Sequence, residues 1–219
     1  MTEPFTSTPD LPQGEREPTW LERNRLALLA LVPLLLLAGL ATSFRYVTLY
    51  RPNEFTQPQK ASGPGLNFHE NFMSVGFGTQ PRQYARNVTI TLRSLKAGPE
   101  YQGEKAARGA TLWVTELQFQ AKPDVPLEGC HLALVDEQGE VYGDQSGKTG
   151  ESSDVQRHCV PLDTPGPTFD FTGELREPSG AARPESWTVR RTVALPEGKR
   201  PRFVRVSWRP PHYGLIPLK

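Results

Sequence analysis

One apolar run constrains this chain more than any other feature. Leu26 to Phe44 reads LALLALVPLLLLAGLATSF, 19 residues without a charge. At 1.5 Å per residue it would extend about 28 Å as a helix, close to the thickness of a bilayer's hydrocarbon core. The run is apolar on every face, with none of the amphipathic period that a helix on a soluble core shows. Arg23 and Arg25 bound it on one side and Arg45 on the other. Thr19 and Glu22 form the T-x-x-E pattern of a capping box immediately before it. Trp20 on one flank, and Phe44, Tyr46 and Tyr50 on the other, supply aromatics for the two membrane interfaces. Pro33 predicts a kink, which membrane helices tolerate. Gly39 and Ser43 offer one small-xxx-small face for helix pairing.

A cleaved signal peptide is the rival reading, with Gly39 and Ala41 as small residues before the cut. The acid-rich lead of 25 residues and the length of the apolar run favour an uncleaved anchor. Arginine and lysine near the two ends balance, with Arg16, Arg23 and Arg25 against Arg45, Arg51 and Lys60. Two arginines crowd the N-terminal edge, and long C-terminal domains translocate largely regardless of charge. Both cysteines also lie C-terminal to the run. The expected topology therefore has a cytoplasmic N-terminus and an extracytoplasmic C-terminal domain in the cell membrane, crossing once.

Four segments follow. Residues 1–18 hold Pro4, Pro9, Pro12 and Pro18 among polar residues and have too few large apolar groups to fold alone. Residues 19–46 are the membrane helix with its flanks. Residues 47–65, rich in proline and glycine toward their end, read as a stalk. Residues 66–219 carry repeated strand signals and are long enough to bury a core. Val88, Ile90 and Leu92 alternate with Thr89, Thr91 and Arg93, and Trp113, Leu117 and Phe119 share one parity of a second run. Cys130, Leu132 and Leu134 lead through Asp136-Glu137-Gln138-Gly139 into Glu140-Val141-Tyr142, a hairpin pattern. Trp187–Leu195 and Phe203–Trp208 are expected to pair around Pro196-Glu197-Gly198-Lys199, with Tyr213–Ile216 as an edge strand stopped by Pro217. The 22 prolines and 19 glycines punctuate many short strands. The expected fold is mainly β: one N-terminal transmembrane helix, then an antiparallel β-sandwich of immunoglobulin-like type.

The two cysteines, Cys130 and Cys159, are expected to form one disulfide in an oxidising compartment. By loop entropy it would stabilise the domain by roughly 3 to 4 kcal/mol. Cys130-His131 and His158-Cys159 also suggest a zinc site, but neighbouring residues on a strand point to opposite faces, and zinc ligands are usually spaced by two or more residues. Neither metal nor cofactor is expected. Gly143 to Thr149 (GDQSGKT) ends like a phosphate loop, yet Tyr142 stands where the first glycine is needed and no apolar helix follows. Gly76-Phe77-Gly78 lacks the third glycine of a dinucleotide loop. There is no G-x-S-x-G, and His69, His131, His158 and His212 form no H-x-x-x-H pair. Asn87-Val88-Thr89 is a glycosylation sequon.

Net charge is +1, which excludes a dominant field for nucleic acid. Arg190, Arg191, Lys199, Arg200, Arg202, Arg205 and Arg209 nevertheless concentrate positive charge in the closing strands, with Glu197 among them. Such a patch would meet an anionic polymer, lipid headgroups or an acidic envelope protein, or would serve to discourage edge pairing.

The acidic tail, the stretch WLERNRLALLALVPLLLLAGLATSFRYV with its W-x-x-R-N-R start, and the two-cysteine β domain together resemble uncharacterised bacterial single-pass envelope proteins. The resemblance implies an extracytoplasmic β domain and carries no activity and no functional residues. The expected function is a non-enzymatic binding or accessory module in the cell envelope. Two alternatives stand beside it: an envelope hydrolase, which would bring His69 or His212 beside a carboxylate, and an accessory subunit whose helix docks into a larger membrane complex.

Overall fold

The computed structural model describes residues 19–74, 76–78, 80–101, 104–143, 159–177 and 180–218. The polar tail 1–18, the loop from residue 144 to 149 and His158 lie outside them. The chain divides into two compact units, Met1–Leu49 and Tyr50–Lys219.

In the first unit, helix α1 spans Trp20–Arg45. Its start is the expected capping box: Thr19 Oγ1 accepts from the Glu22 N–H (3.4 Å), and the Thr19 N–H donates to Glu22 Oε2 (2.7 Å). Pro33 lies inside it and none of its residues is buried. A π turn at Tyr46–Tyr50 and a 3₁₀ turn at Arg51–Asn53 continue the helical path. Trp20–Asn53 is long and apolar enough to cross a membrane, with a mean hydropathy of 2.3 over an 18-residue stretch.

In the second unit the strands follow in chain order as β1 (Gln57–Lys60), β2 (Gly65–Ser74), β3 (Arg82–Gly98), β4 (Glu100–Tyr101), β5 (Glu104–Lys105), β6 (Ala110–Gln120), β7 (His131–Asp136), β8 (Val141–Gly143), β9 (Thr168–Phe169), β10 (Leu175–Arg176), β11 (Ser186–Pro196), β12 (Pro201–Ser207) and β13 (His212–Pro217). One sheet has the order β1-β13-β12-β7-β8 and the other β11-β6-β3-β2. The pairs β4–β5 and β9–β10 form small ribbons.

The two sheets face each other across one core. Alternation sends Leu66 and Phe68 of β2, Val88 and Ile90 of β3, Leu117 and Phe119 of β6 and Trp187 and Val189 of β11 inward from one side. Leu132 and Leu134 of β7, Val204 and Val206 of β12 and Ile216 of β13 meet them from the other. Each large side chain removed wholly from water, such as Ile90, Leu117 or Phe119, contributes about 1.5–3 kcal/mol. The sheets approach closely where β13 packs on β2. A Cβ on Gly214 would collide with Leu66 Cδ2 there, so glycine permits the approach.

The core also holds an ion pair. Arg86 of β3 binds Glu70 of β2, with both side chains 2% exposed. The Arg86 Nε–H donates to the Pro126 carbonyl (2.9 Å), and the guanidinium lies 4.4 Å from the Phe72 ring centre and 5.1 Å from that of Trp208. Burial, then the nearby Arg209 charge, pulls the Arg86 guanidinium down to about 9. It stays protonated at neutral pH, with Glu70 as its counter-ion.

Three expectations need correction. Trp187–Leu195 and Phe203–Trp208 do not pair. β11 aligns with β6 over its full length, from Ser186↔Gln120 to Pro196↔Ala110, whereas β12 lies between β13 and β7. Each strand carries a strongly apolar face, and facing across the core buries both. Tyr213–Ile216 is not an edge, because β1 pairs outside β13, and in parallel. The sandwich is thus not wholly antiparallel. Finally, the expected stalk contributes β1. Gln57 and Ala61 donate backbone N–H groups to Pro211 and Leu215 (both 2.9 Å), so the intervening Pro58 falls on the outer side, where its missing N–H costs no ladder bond.

Candidate ligand-binding cleft

The chain enters the sandwich where the Thr56 N–H reaches the Pro211 carbonyl (3.0 Å). β1 leads from this entry end to the turn Ser62–Pro64 at the opposite end. A cleft of about 640 Å³ opens between the sheets at that far end. Leu92, Leu95 and Trp113 line it from one sheet, Pro201, Pro217 and Leu218 from the other, and Ser62, Gly63 and Pro64 close one side. Arg93, Ser94 and Arg200 add polar groups.

Two β-bulges shape this opening. β3 shifts register against β6 between Leu92 and Ser94, and β12 shifts against β7 between Pro201 and Phe203. The residue skipped in the register is an arginine in both cases, Arg93 against β6 and Arg202 against β7. A bulge bends its strand and re-aims the extra side chain. Here both arginines are exposed, although Arg202 shares the parity of the buried Val204 and Val206. The Trp113 indole N–H is buried and meets no acceptor among the described residues. The cleft therefore combines an apolar floor, proline-stiffened walls, an unanswered donor and cationic groups at its margin. That chemistry suits an apolar segment bearing an acceptor or a negative charge.

Of the seven basic residues singled out in the sequence, three gather at this end: Lys199, Arg200 and Arg202. Lys199 is already engaged, donating to Asp136 Oδ2 (3.1 Å) and Gln138 Oε1 (3.0 Å). Asp136 closes the β7–β8 hairpin by accepting from the Gln138 and Glu140 N–H groups (both 2.9 Å). Burial pushes the Asp136 carboxyl up, but the Glu140 N–H, Lys199 and the Gln138 N–H outweigh it and leave it below its ordinary value. The hydrogen bond to Asp136 in turn holds Lys199 above its own.

The other four lie elsewhere. Arg190 points outward from the second sheet and pairs with Glu116 (2.7 Å). Arg191 is half-buried on the same strand. Arg205 sits 4.5 Å from the ring centres of both Phe55 and Tyr213, and burial lowers its guanidinium. Arg209 lies past the end of β12, 5.6 Å from the Phe72 ring centre. The structure thus divides these residues between both sheets and both ends of the sandwich. Arg93, Trp113, Leu92 and Leu95 were not read as site residues. The signal for the three β3 residues is a slip of parity, from Val88, Ile90 and Leu92 on even positions to Leu95 on an odd one.

Cys130 and Cys159 are paired at disulfide distance, with Cα atoms 5.7 Å apart and both residues wholly buried. The Trp187 indole donates to the Cys159 carbonyl (2.8 Å), tying the bridge to β11. His131 is exposed beside it. His69 is exposed and its ring contacts the Asn87 side chain, which is also the sequon asparagine. His212 is half-buried at the start of β13. Among the described residues no histidine has a carboxylate partner in an ion pair, and no cluster of metal-ligating side chains forms.

No protein-family model matches this chain, and no curated protein is similar to it. One solved structure resembles it. An uncharacterized β-sandwich protein from Clostridium difficile 630 aligns with 76% of this chain and 97% of its own length, at 12% identity and a TM-score of 0.32.

Proposed function

We propose that this protein is a single-pass, membrane-anchored β-sandwich module that binds a partner outside the cytoplasm through the far-end cleft and catalyses no reaction. The observation that carries the reading is an apolar opening between the sheets whose lining includes Arg200 and Arg93, the latter set at the β3 bulge. Bulges interrupt pairing and recur where a side chain must be aimed. The anchoring part rests on the uncharged length of α1. The extracytoplasmic placement rests on the paired cysteines, which favour an oxidising compartment. We also read the sandwich as immunoglobulin-like in outline, supported by a first strand that closes in parallel on the last and by a buried tryptophan beside the disulfide. The occupant we expect is an apolar segment with an anionic group, presented by an envelope protein or polymer.

A photoreactive phenylalanine analogue at Leu95, in cells making the full chain, tests this. A covalent adduct that disappears in Arg93→Ala/Arg200→Ala is the expected result. A folded protein that gives no adduct at Leu95, or one indifferent to both arginines, rules out the cleft as the binding site.

A further inference from the structure

Two phenylalanines stand in water at the entry end. Phe77, in the β2–β3 connection, is 89% exposed, and Phe171, at the tip of the β9–β10 ribbon, is 80% exposed. They are held side by side, since the Phe77 N–H donates to the Phe171 carbonyl (3.0 Å). The backbones pack so closely that a Cβ on Gly76 would fall on the Thr172 carbonyl. Gly173 has φ +75, and a Cβ there would come within 2.8 Å of the Gly76 nitrogen. The buried Ser74 hydroxyl donates to the Gly173 carbonyl (2.9 Å).

The ribbon turn is equally fixed. Asp170 accepts from the Thr172 N–H (2.9 Å), the Thr172 hydroxyl (2.6 Å) and the Glu174 N–H (3.1 Å), and its other oxygen binds Arg176 (2.6 Å). A turn this constrained normally carries a polar tip. This one presents a phenylalanine to solvent. Three arginines belong to the same end: Arg82 pairs with Glu174 (2.8 Å), Arg176 with Asp170 (2.6 Å), and Arg209 donates to the Met73 carbonyl (3.4 Å).

Both tips lie at the end where the chain enters. The Gln59 side chain bonds the His69 backbone N–H (3.0 Å) and carbonyl (2.6 Å), so β1 and β2 are level there. From His69 the chain runs about 17 Å along β2 to Ser74, and from Gln59 back to Phe55 about 13 Å in the same direction. Phe55 is pinned there by Tyr213, with ring centres 6.2 Å apart. Residues 46–53 connect α1 to this part of the chain.

We infer that Phe77 and Phe171 insert into the interface of the membrane that α1 crosses, with the arginines of this end against anionic headgroups. Aromatic rings partition to that depth, and basic residues near the surface favour anionic lipid. The inference rests on the reading of α1 as an anchor. It adds a second membrane contact, which would turn the far-end cleft away from the bilayer.

The test uses the full, disulfide-bonded chain reconstituted into vesicles of phosphatidylcholine with phosphatidylglycerol. Spin labels are placed singly at Phe77→Cys, Phe171→Cys, Leu35→Cys in α1 and Val141→Cys at the far end. Exposed side chains at Phe77, Phe171 and Val141 make these replacements benign to folding. Labels at 35, 77 and 171 relaxed by oxygen more than by a water-soluble nickel chelate, with the reverse at 141, are the expected result. Labels at 77 and 171 that behave like 141 while 35 reports lipid would overturn the inference and leave the anchor standing. A water-exposed label at 35 would overturn both.

Discussion

Replacing Arg86 with Met tests the internal logic of the sandwich. The substitution keeps a long apolar stem but leaves the Glu70 carboxylate, 2% exposed, without its counter-ion. Removing one partner of a buried pair costs about 3–5 kcal/mol, because the remaining charge stays desolvated. Glu70→Leu strands the guanidinium and should cost a similar about 3–5 kcal/mol. If the two sites were independent, the double variant would lose about 6–10 kcal/mol. It removes both charges, however, so the main cost left is the Pro126 carbonyl, which loses its donor as it does in Arg86→Met alone, about 1–3 kcal/mol. The double variant should therefore be more stable than either single one. Urea unfolding of the full chain in mild detergent, followed through the buried Trp187 and Trp208, measures all four corners of the cycle. A coupling energy below about 1 kcal/mol would refute the pair as a mutual charge balance.

Two further outcomes follow from the same geometry. Replacing Cys130 and Cys159 together with Ala should cost about 3–4 kcal/mol, from a loop that spans a sequence separation of 29. Loss of the same increment on adding reductant to the unaltered chain, read by the same unfolding curve, checks it. Asp170 and Asp136 are both held below their ordinary value of 3.8. Their stabilisation is therefore complete above that value and is lost as pH falls through it toward the folded-state values. The melting temperature should drop in this acid window, and Asp170→Asn should flatten the drop; an unchanged slope in that variant would count against the turn as its source.

The far-end cleft was legible in the sequence only through a discontinuity. Val88, Ile90 and Leu92 announce a strand with an inward even face, and Leu95 breaks that rule. One extra residue restores the alternation, and the structure seats Arg93 there. No comparable slip marks Trp113, whose role depends on Pro201 and Pro217 arriving from the other sheet. The basic run near the C-terminus misled for a related reason. Closeness in sequence placed seven charges together, but β11 and β12 belong to opposite sheets, and β12 carries Arg202 and Arg205 toward opposite ends.

The sequence by itself determined what is local: helix α1 with its uncharged Leu26–Phe44 run and Thr19–Glu22 cap, the alternating strands, and the β7–β8 hairpin around Asp136. Each depends on residues within a few positions of one another, where periodicity and turn chemistry suffice. The tertiary structure alone decided which strands became neighbours. β11 and β12, joined by a four-residue turn, had the choice of pairing with each other or facing across the core. Facing won because Trp187 stacks on Phe119 of β6 and Val204 and Val206 close over the same interior, burying both apolar faces at once. That gain depends on the summed burial of distant side chains, a quantity no local pattern contains.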